Sequence, residues 1–252
     1  MLNLLKHREL IRILVISDLK VRYQGSIIGI AWSLLSPLLL MLVLYFVFST
    51  MFQRGNFALY LLVGIVTWRF FQLGTILTMV ALVSKSGLVT KVALPREVLV
   101  LSGAATNLIS STLEFLVLIP LMVFFGVPLS GVMGLFLVLH ILFFFIIYGL
   151  GLILAALYVY YRDLNQIWEV VLQLGFFMCP ILYPISLIPP AYLGYYMLNP
   201  IARLMVMYRD VFLNGSIPQA GDFAYVLASG ILLLIVGNLV FSRLSPRFAE
   251  EI

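Results

Sequence analysis

The sequence predicts an all-α integral membrane protein with six transmembrane helices, and the amount and placement of charge predict it. Only 10% of residues are Asp, Glu, Lys or Arg and 63% are hydrophobic, where a soluble domain carries about a quarter charged residues. The charges are clumped, and the stretches between clumps, such as residues 27–51 and 132–160, contain none. A hydrocarbon core about 30 Å thick is crossed by about 20 apolar residues in a helix, so these stretches are long enough. Folding this much apolar surface into a soluble core of 252 residues would leave large exposed patches.

Residues 1–24 open the chain as an amphipathic helix. Leu10, Ile11, Leu14 and Val15 share one face, Arg8, Glu9 and Arg12 another, and Asp18 interrupts the apolar stripe. Such a helix is expected to lie in the cytoplasmic interface plane, cationic side chains toward anionic headgroups of membrane lipids; an ordinary positive flank of the first span is the other reading. No small-residue cleavage site follows its basic residues, so the first span is expected to stay in the mature chain. Residues 27–183 then hold spans one to five, at 27–51, 57–83, 98–125, 132–160 and 167–183, and span six covers 223–241. The whole, residues 1–252, reads as a single transmembrane domain.

Basic residues orient the spans. Eleven of the fifteen Lys and Arg (Lys6, Arg8, Arg12, Lys20, Arg22, Lys85, Lys91, Arg96, Arg162, Arg243 and Arg247) fall on one side, which the positive-inside rule makes cytoplasmic together with both termini. That parity holds only if residues 184–221 enter and leave on the external face. The segment carries Pro189-Pro190, Asn199-Pro200, Arg203, Arg209 and Asp210 around an apolar run. Two short, proline-separated helices dipping into the outer half of the membrane satisfy both parity and the need to shield irregular backbone from lipid. An external loop lying on the surface is the other reading.

Several chemistries are disfavoured. The four lysines, Lys6, Lys20, Lys85 and Lys91, never follow a glycine, so the phosphate-cradling P-loop with its lysine and hydroxyl is missing. His7 and His140 have no acid or Cys at ligand spacing, and a lone Cys179 builds neither disulfide nor thiolate cluster. No metal site and no bound cofactor is expected. The charge of +5 belongs to membrane flanks, not to nucleic-acid binding. Intramembrane ionisable residues usually carry function; here they are Arg69, Glu114 and Glu169, with Arg203, few for a proton relay. Glu114, beside Ser110, Ser111 and Thr112, reads either as a helix–helix contact or as a substrate contact.

Several strings together carry a family resemblance. "RELIRILVISDLKVRYQGSIIGIAWSLLSPLLLM" (8–41), "YLLVGIVTWRFF" (60–71), "LVTKVALPREVL" (88–99), "YYRDLNQI" (160–167), "PILYPISLIP" (180–189) and "LNPIARLMVMYRDVFLNGSIP" (198–218) stand in order from the first helix to the last span. The chain resembles the permease subunit of ABC-2 (type V fold) exporters, in the branch that exports O-antigen, capsular polysaccharide or teichoic acid.

That resemblance implies a homodimer forming a channel for a lipid-linked polysaccharide, with two copies of a separate ATPase subunit binding ATP and magnesium. It implies that Arg8, Arg12, Lys20 and Arg22 of the first helix, and Lys91, Pro95, Arg96 and Glu97 of a cytoplasmic loop, contact the ATPase. It makes Pro184, Pro189, Asn199, Pro200 and Arg203 part of an external gate. Aromatic rings suit sugar faces, so Trp32, Tyr45, Trp68, Phe71, Tyr148, Tyr183 and Tyr196 join Glu114 as channel or substrate candidates, although belts and core packing also use aromatics. Competing readings are an exporter of drugs or other lipophiles on the same plan, an ATP-independent secondary carrier relying on Glu114 or Arg69, and a membrane enzyme acting on lipid-linked sugars, which no residue constellation supports.

Overall fold

A computed structural model describes residues 7–24, 30–51, 55–92 and 94–251; the expected start of span one at 27–29, Lys6 and Arg54 lie outside them. The described residues form helices and turns only. In chain order the helices are α1 (Arg8–Tyr23), α2 (Ile30–Phe48), α3 (Phe57–Ser84), α4 (Ser86–Lys91), α5 (Glu97–Leu116), α6 (Leu118–Phe124), α7 (Phe136–Tyr160), α8 (Leu164–Met178), α9 (Pro190–Tyr196), α10 (Pro200–Arg209), α11 (Ala220–Leu244) and α12 (Phe248–Glu251). Four stretches among the described residues are long and apolar enough to cross a membrane: Phe57–Ser84, Glu97–Phe124, Gly131–Tyr160 and Ala220–Arg247.

Prolines explain where apolar runs and helices part company. The run expected as span three is two helices, because Pro120 lacks an N–H and crowds the carbonyl four residues back, and α5 ends at that residue, Leu116. The helix expected over 167–183 is shorter. α8 stops at Met178 after 15 residues, since Cys179 precedes Pro180 and adopts an extended conformation (φ −95°, ψ 153°). Span four gains a 3-10 turn, Gly131–Leu135, ahead of α7. Residues 190–209 are two short helices, as expected. Each starts with proline at its first position, and α10 is capped by Asn199, whose side chain accepts from the Ile201 N–H at 2.9 Å.

Interhelix contacts give the direction of each helix. Going along α3 toward its C-terminus, Phe70 stacks on His140, Phe71 on Phe143 and Gly151 meets Thr78, so α3 and α7 run parallel. Gly149 meets Leu233, Tyr160 meets Leu244, and α11 is therefore parallel to both. Ser36 and Tyr45 of α2 approach Arg69 and Phe57, Glu114 and Ser102 of α5 approach Arg69 and Lys85, and Gly175 and Trp168 of α8 approach Trp68 and Thr75. These three run the opposite way. Six helices thus alternate in direction along the chain, and the turns carrying Lys85, Lys91, Arg96, Arg162, Arg243 and Arg247 gather at one end, the basic end.

Small residues let the backbones approach. A Cβ at Gly149 would lie 2.6 Å from the Leu233 carbonyl carbon, and one at Gly237 would collide with the Gly149 oxygen. Hydroxyls inside the bundle bond their own helix: Thr67 to the Val63 carbonyl, Thr75 to Phe71 and Thr78 to Gly74, at 2.7–3.0 Å. Outward faces stay apolar, with Val170, Leu174 and Phe177 on α8 and Leu232, Ile235 and Leu239 on α11 all exposed. Gly237→Val should lower stability by about 1–3 kcal/mol through overpacking, read as a fall in the thermal midpoint in detergent. Gly221→Val, where a Cβ meets open space, should leave the midpoint unchanged.

Candidate functional site

At the basic end, α1 packs along α5 with Leu14 and Val15 buried. Asp18, which looks like a defect in the apolar stripe, faces the same way for a reason. Its carboxylate receives the Lys85 ammonium at 2.6 Å, and Lys85 also donates to Ser102 at 3.3 Å. One salt bridge therefore pins α1 to the α3–α5 junction. Arg8, Arg12 and Lys20 are exposed on the other face of α1, and Arg22 is partly buried. Lys91, Pro95, Arg96 and Glu97 line one open cleft of about 480 Å³ with Thr90, Leu94 and Ser245. The structure brings these four predicted residues together, while Arg8, Arg12 and Lys20 of α1 form a separate surface and Arg22 turns partly inward.

Midway along the bundle, Glu114 is buried and its Oε2 lies 3.4 Å from Arg69 Nε. Arg69 also donates from Nη1 to Ser36 Oγ at 3.3 Å. The pair joins α2, α3 and α5, and each charge is compensated where neither could be buried alone. Asn107 adds a second cross-link between α5 and α3, donating to the Phe70 carbonyl at 2.9 Å. Glu169 is exposed and accepts from Asn165, one turn away, at 3.0 Å.

The end opposite the basic end is organised around α10. Tyr208 is fully buried and its hydroxyl lies 2.7 Å from His140 Nδ1, while His140 Nε2 lies 3.2 Å from Ser111 Oγ. An imidazole with one ring proton accepts at one nitrogen and donates at the other, so both contacts are satisfied. Phe70, Phe115 and Phe136 pack round the ring, with centroids 4.3–5.0 Å away. Next along α10, Arg209 is buried. Its guanidinium carbon lies 3.5 Å from the Tyr60 ring centroid, and Nη2 donates to the Ile181 carbonyl at 3.2 Å. The absence of a side chain at Gly64 on α3 leaves room for it: a Cβ there would stand 2.8 Å from that nitrogen and 3.3 Å from Ile181.

Beside Arg209 lies a cavity of about 300 Å³ whose walls include Tyr60, Pro184, Asp210 and Asn214. Arg203 donates to the Met197 carbonyl at 2.5 Å, pairs with Asp222 at the start of α11 and sits over the Tyr225 ring. It thereby holds the joint between α9 and α10. Asn199 and Pro200 form that joint, and α9, headed by Pro189 and Pro190, is largely exposed. A π-helical turn, Asp210–Asn214, follows α10 and ends at Gly215 in the left-handed region (φ 60°).

The seven predicted aromatics do not share one surface. Trp68, Phe71 and Tyr148 are buried within the bundle, Trp68 against Phe71 and Phe176 and Tyr148 against Phe144. Trp32 and Tyr45 are exposed on α2. Tyr183 and Tyr196 form a hydroxyl pair at 3.2 Å near the exposed α9. Tyr208 and Asp222 carry no signal in the sequence, where His140 stands only as a lone histidine, Ser111 as a neighbour of Glu114 and Arg209 as a charge in the external segment. Its one signal is an arginine closing an apolar run that an Asn-Pro cap opens.

The ABC-2 type transporter family matches residues 9–213. The chain is 31% identical over 255 residues to an O-antigen export system permease protein of Klebsiella pneumoniae, covering 96% of this chain and 94% of that one. It is 32% identical over 254 residues to a protein of the same description from Myxococcus xanthus, covering 99% and 98%.

Tyr208→Phe should cost about 1–3 kcal/mol, because it strands a buried ring nitrogen of His140. The measurement is thermal unfolding in detergent, and an unchanged midpoint would show that the triad does not hold α10.

Proposed function

The chain belongs to the ABC-2 type transporter family, and from that premise we propose that it is the channel-forming subunit of an exporter moving a lipid-linked polysaccharide of the O-antigen class across the cytoplasmic membrane. The relatives described as O-antigen export permeases match over almost their whole length, which supports this class over drugs or other lipophiles. In this reading the six alternating helices are the six spans, α8 being the short one, and the basic end with both termini is cytoplasmic. The observation that carries the coupling role is the collection of Lys91, Arg96 and Glu97 around one open cleft at the basic end, in a chain without a P-loop lysine.

Energy then comes from a separate ATPase subunit, two copies per transporter, which holds ATP and magnesium. Arg8, Arg12, Lys20 and Arg22 of α1 and Lys91, Pro95, Arg96 and Glu97 receive its movement. Two copies of this chain form the channel by covering part of the exposed apolar faces, a use that suits patches of this size. Residues 184–221 act as the external gate. Within it, α10 is anchored by Tyr208 and Arg209, and the exposed α9, hinged at Asn199-Pro200, is the part free to move. Trp32, Tyr45, Tyr183 and Tyr196 are the aromatics placed to meet sugar. Trp68, Phe71 and Tyr148 act through packing, and Glu114 keeps α2, α3 and α5 together.

Affinity purification from the native membrane is expected to bring down a stoichiometric P-loop ATPase, and substitution of Lys91–Glu97 is expected to release it or to uncouple it. A homo-oligomer with no nucleotide-binding partner would remove the reading. Replacing Asn199 or Pro200 is expected to produce an ion leak in bilayers, and unchanged conductance and export together would return the segment to a surface loop.

A further inference from the structure

The turns after α11 carry contacts that the coupling surface described above does not explain. The last carbonyls of a helix have no partner in the helix itself. At the end of α11 two of them are taken by side chains from elsewhere: Tyr160, the last residue of α7, donates its hydroxyl to the Leu244 carbonyl at 2.9 Å, and Arg96, just before α5, donates Nη1 to the Ser245 carbonyl. Phe248 follows and is fully buried. Its ring stands edge-on to Phe241 with centroids 5.4 Å apart and to Tyr160 at 6.1 Å, and the Arg96 guanidinium carbon lies 5.8 Å from its centroid. Arg162 reaches the Glu251 carbonyl at 3.4 Å.

Residues 245–251 thus touch Arg96, Tyr160 and Arg162, from two of the connections at the basic end. Their anchor is a buried phenyl ring rather than a surface charge, so the connection survives salt and water that would screen exposed ion pairs. The same helix, α11, is tied at its other end, where Asp222 in its first turn pairs with Arg203 of α10. One continuous helix of 25 residues therefore connects the cleft containing Arg96 to the joint between α9 and α10.

We propose that Phe248 is a positioning residue for ATP-driven export: it fixes Arg96 and the coupling cleft to α11, so that a push on the cleft reaches the α9–α10 joint as movement of that helix. The inference rests on the proposed ATPase-coupled reading, and the test separates the two. The full chain with its ATPase subunit is reconstituted in vesicles, and three quantities are read: bound ATPase, ATP hydrolysis and polysaccharide exported per ATP. Phe248→Ala is expected to keep the ATPase bound and hydrolysing while export per ATP falls about five-fold or more, the range of typical coupling energies. Phe248→Leu, which refills most of the buried volume, should recover most of the loss.

Unchanged export per ATP in Phe248→Ala would overturn the proposal. So would a parallel loss of bound ATPase and export, which is what a merely structural residue gives. Should Phe248→Ala fail to accumulate in the membrane, Tyr160→Phe decides by the same readings, since it removes one hydroxyl and keeps the ring. Absence of ATP-dependent export in the unaltered chain would instead refute the functional reading itself.

Discussion

No residue of α3 before Ser84 is exposed, and the rest of the structure depends on that burial. A helix surrounded by protein must meet each neighbour with a matching surface and leave no polar group stranded. Its threonines turn back onto their own carbonyls, and its glycines admit the flanking helices at 64 and 74. Its one charged residue, Arg69, is matched by Glu114 from α5. The helices α2, α5, α7, α8 and α10 all lean on it. The alternation of direction that defines the two ends is read from those same contacts.

The two ends are built on different physics. At the basic end charged or charge-assisted contacts, Lys85 with Asp18 and Arg96 with a carbonyl just past α11, hold loops that face water, with the buried Phe248 as an aromatic anchor beside them. At the other end the deepest fixed points are aromatic: His140 inside a box of phenyl rings, and Arg209 over the Tyr60 ring. In the proposed function the first is the surface that meets the soluble ATPase and the second is the external gate. Between them run three parallel helices, α3, α7 and α11, with α7 and α11 in near backbone contact at Gly149 and Gly237. A side chain at either glycine would force these two helices apart.

Much of this was legible in the sequence because it is written in charge and proline. Gaps between charges located the long helices, basic residues marked one end, and Asn199-Pro200 marked the joint between α9 and α10. The break at Pro120 and the early end of α8 before Pro180 were also printed in the chain. They were hidden because an apolar run continues through them, and hydropathy counts residues without asking which carbonyl each proline obstructs. Asp18 looked like a flaw because its partner, Lys85, is 67 residues away. Tyr208, His140 and Ser111 come from three helices, and nothing local distinguishes them from a tyrosine of the interfacial belt, a lone histidine and a small packing residue. Contacts closed over such separations are invisible to periodicity.

The notch at Gly64 has an evolutionary consequence. A side chain at 64 would stand 2.8 Å from the Arg209 guanidinium and 3.3 Å from Ile181, so added bulk there requires the arginine to shift. A relative that shortens the residue at 209 first loses the tightest of these contacts before alanine or serine arrives on α3, whereas in the reverse order the guanidinium has to give way. Across homologous chains, bulk at the position equivalent to 64 should therefore be commoner where the counterpart of Arg209 has shortened, a correlation that two columns of an alignment would display.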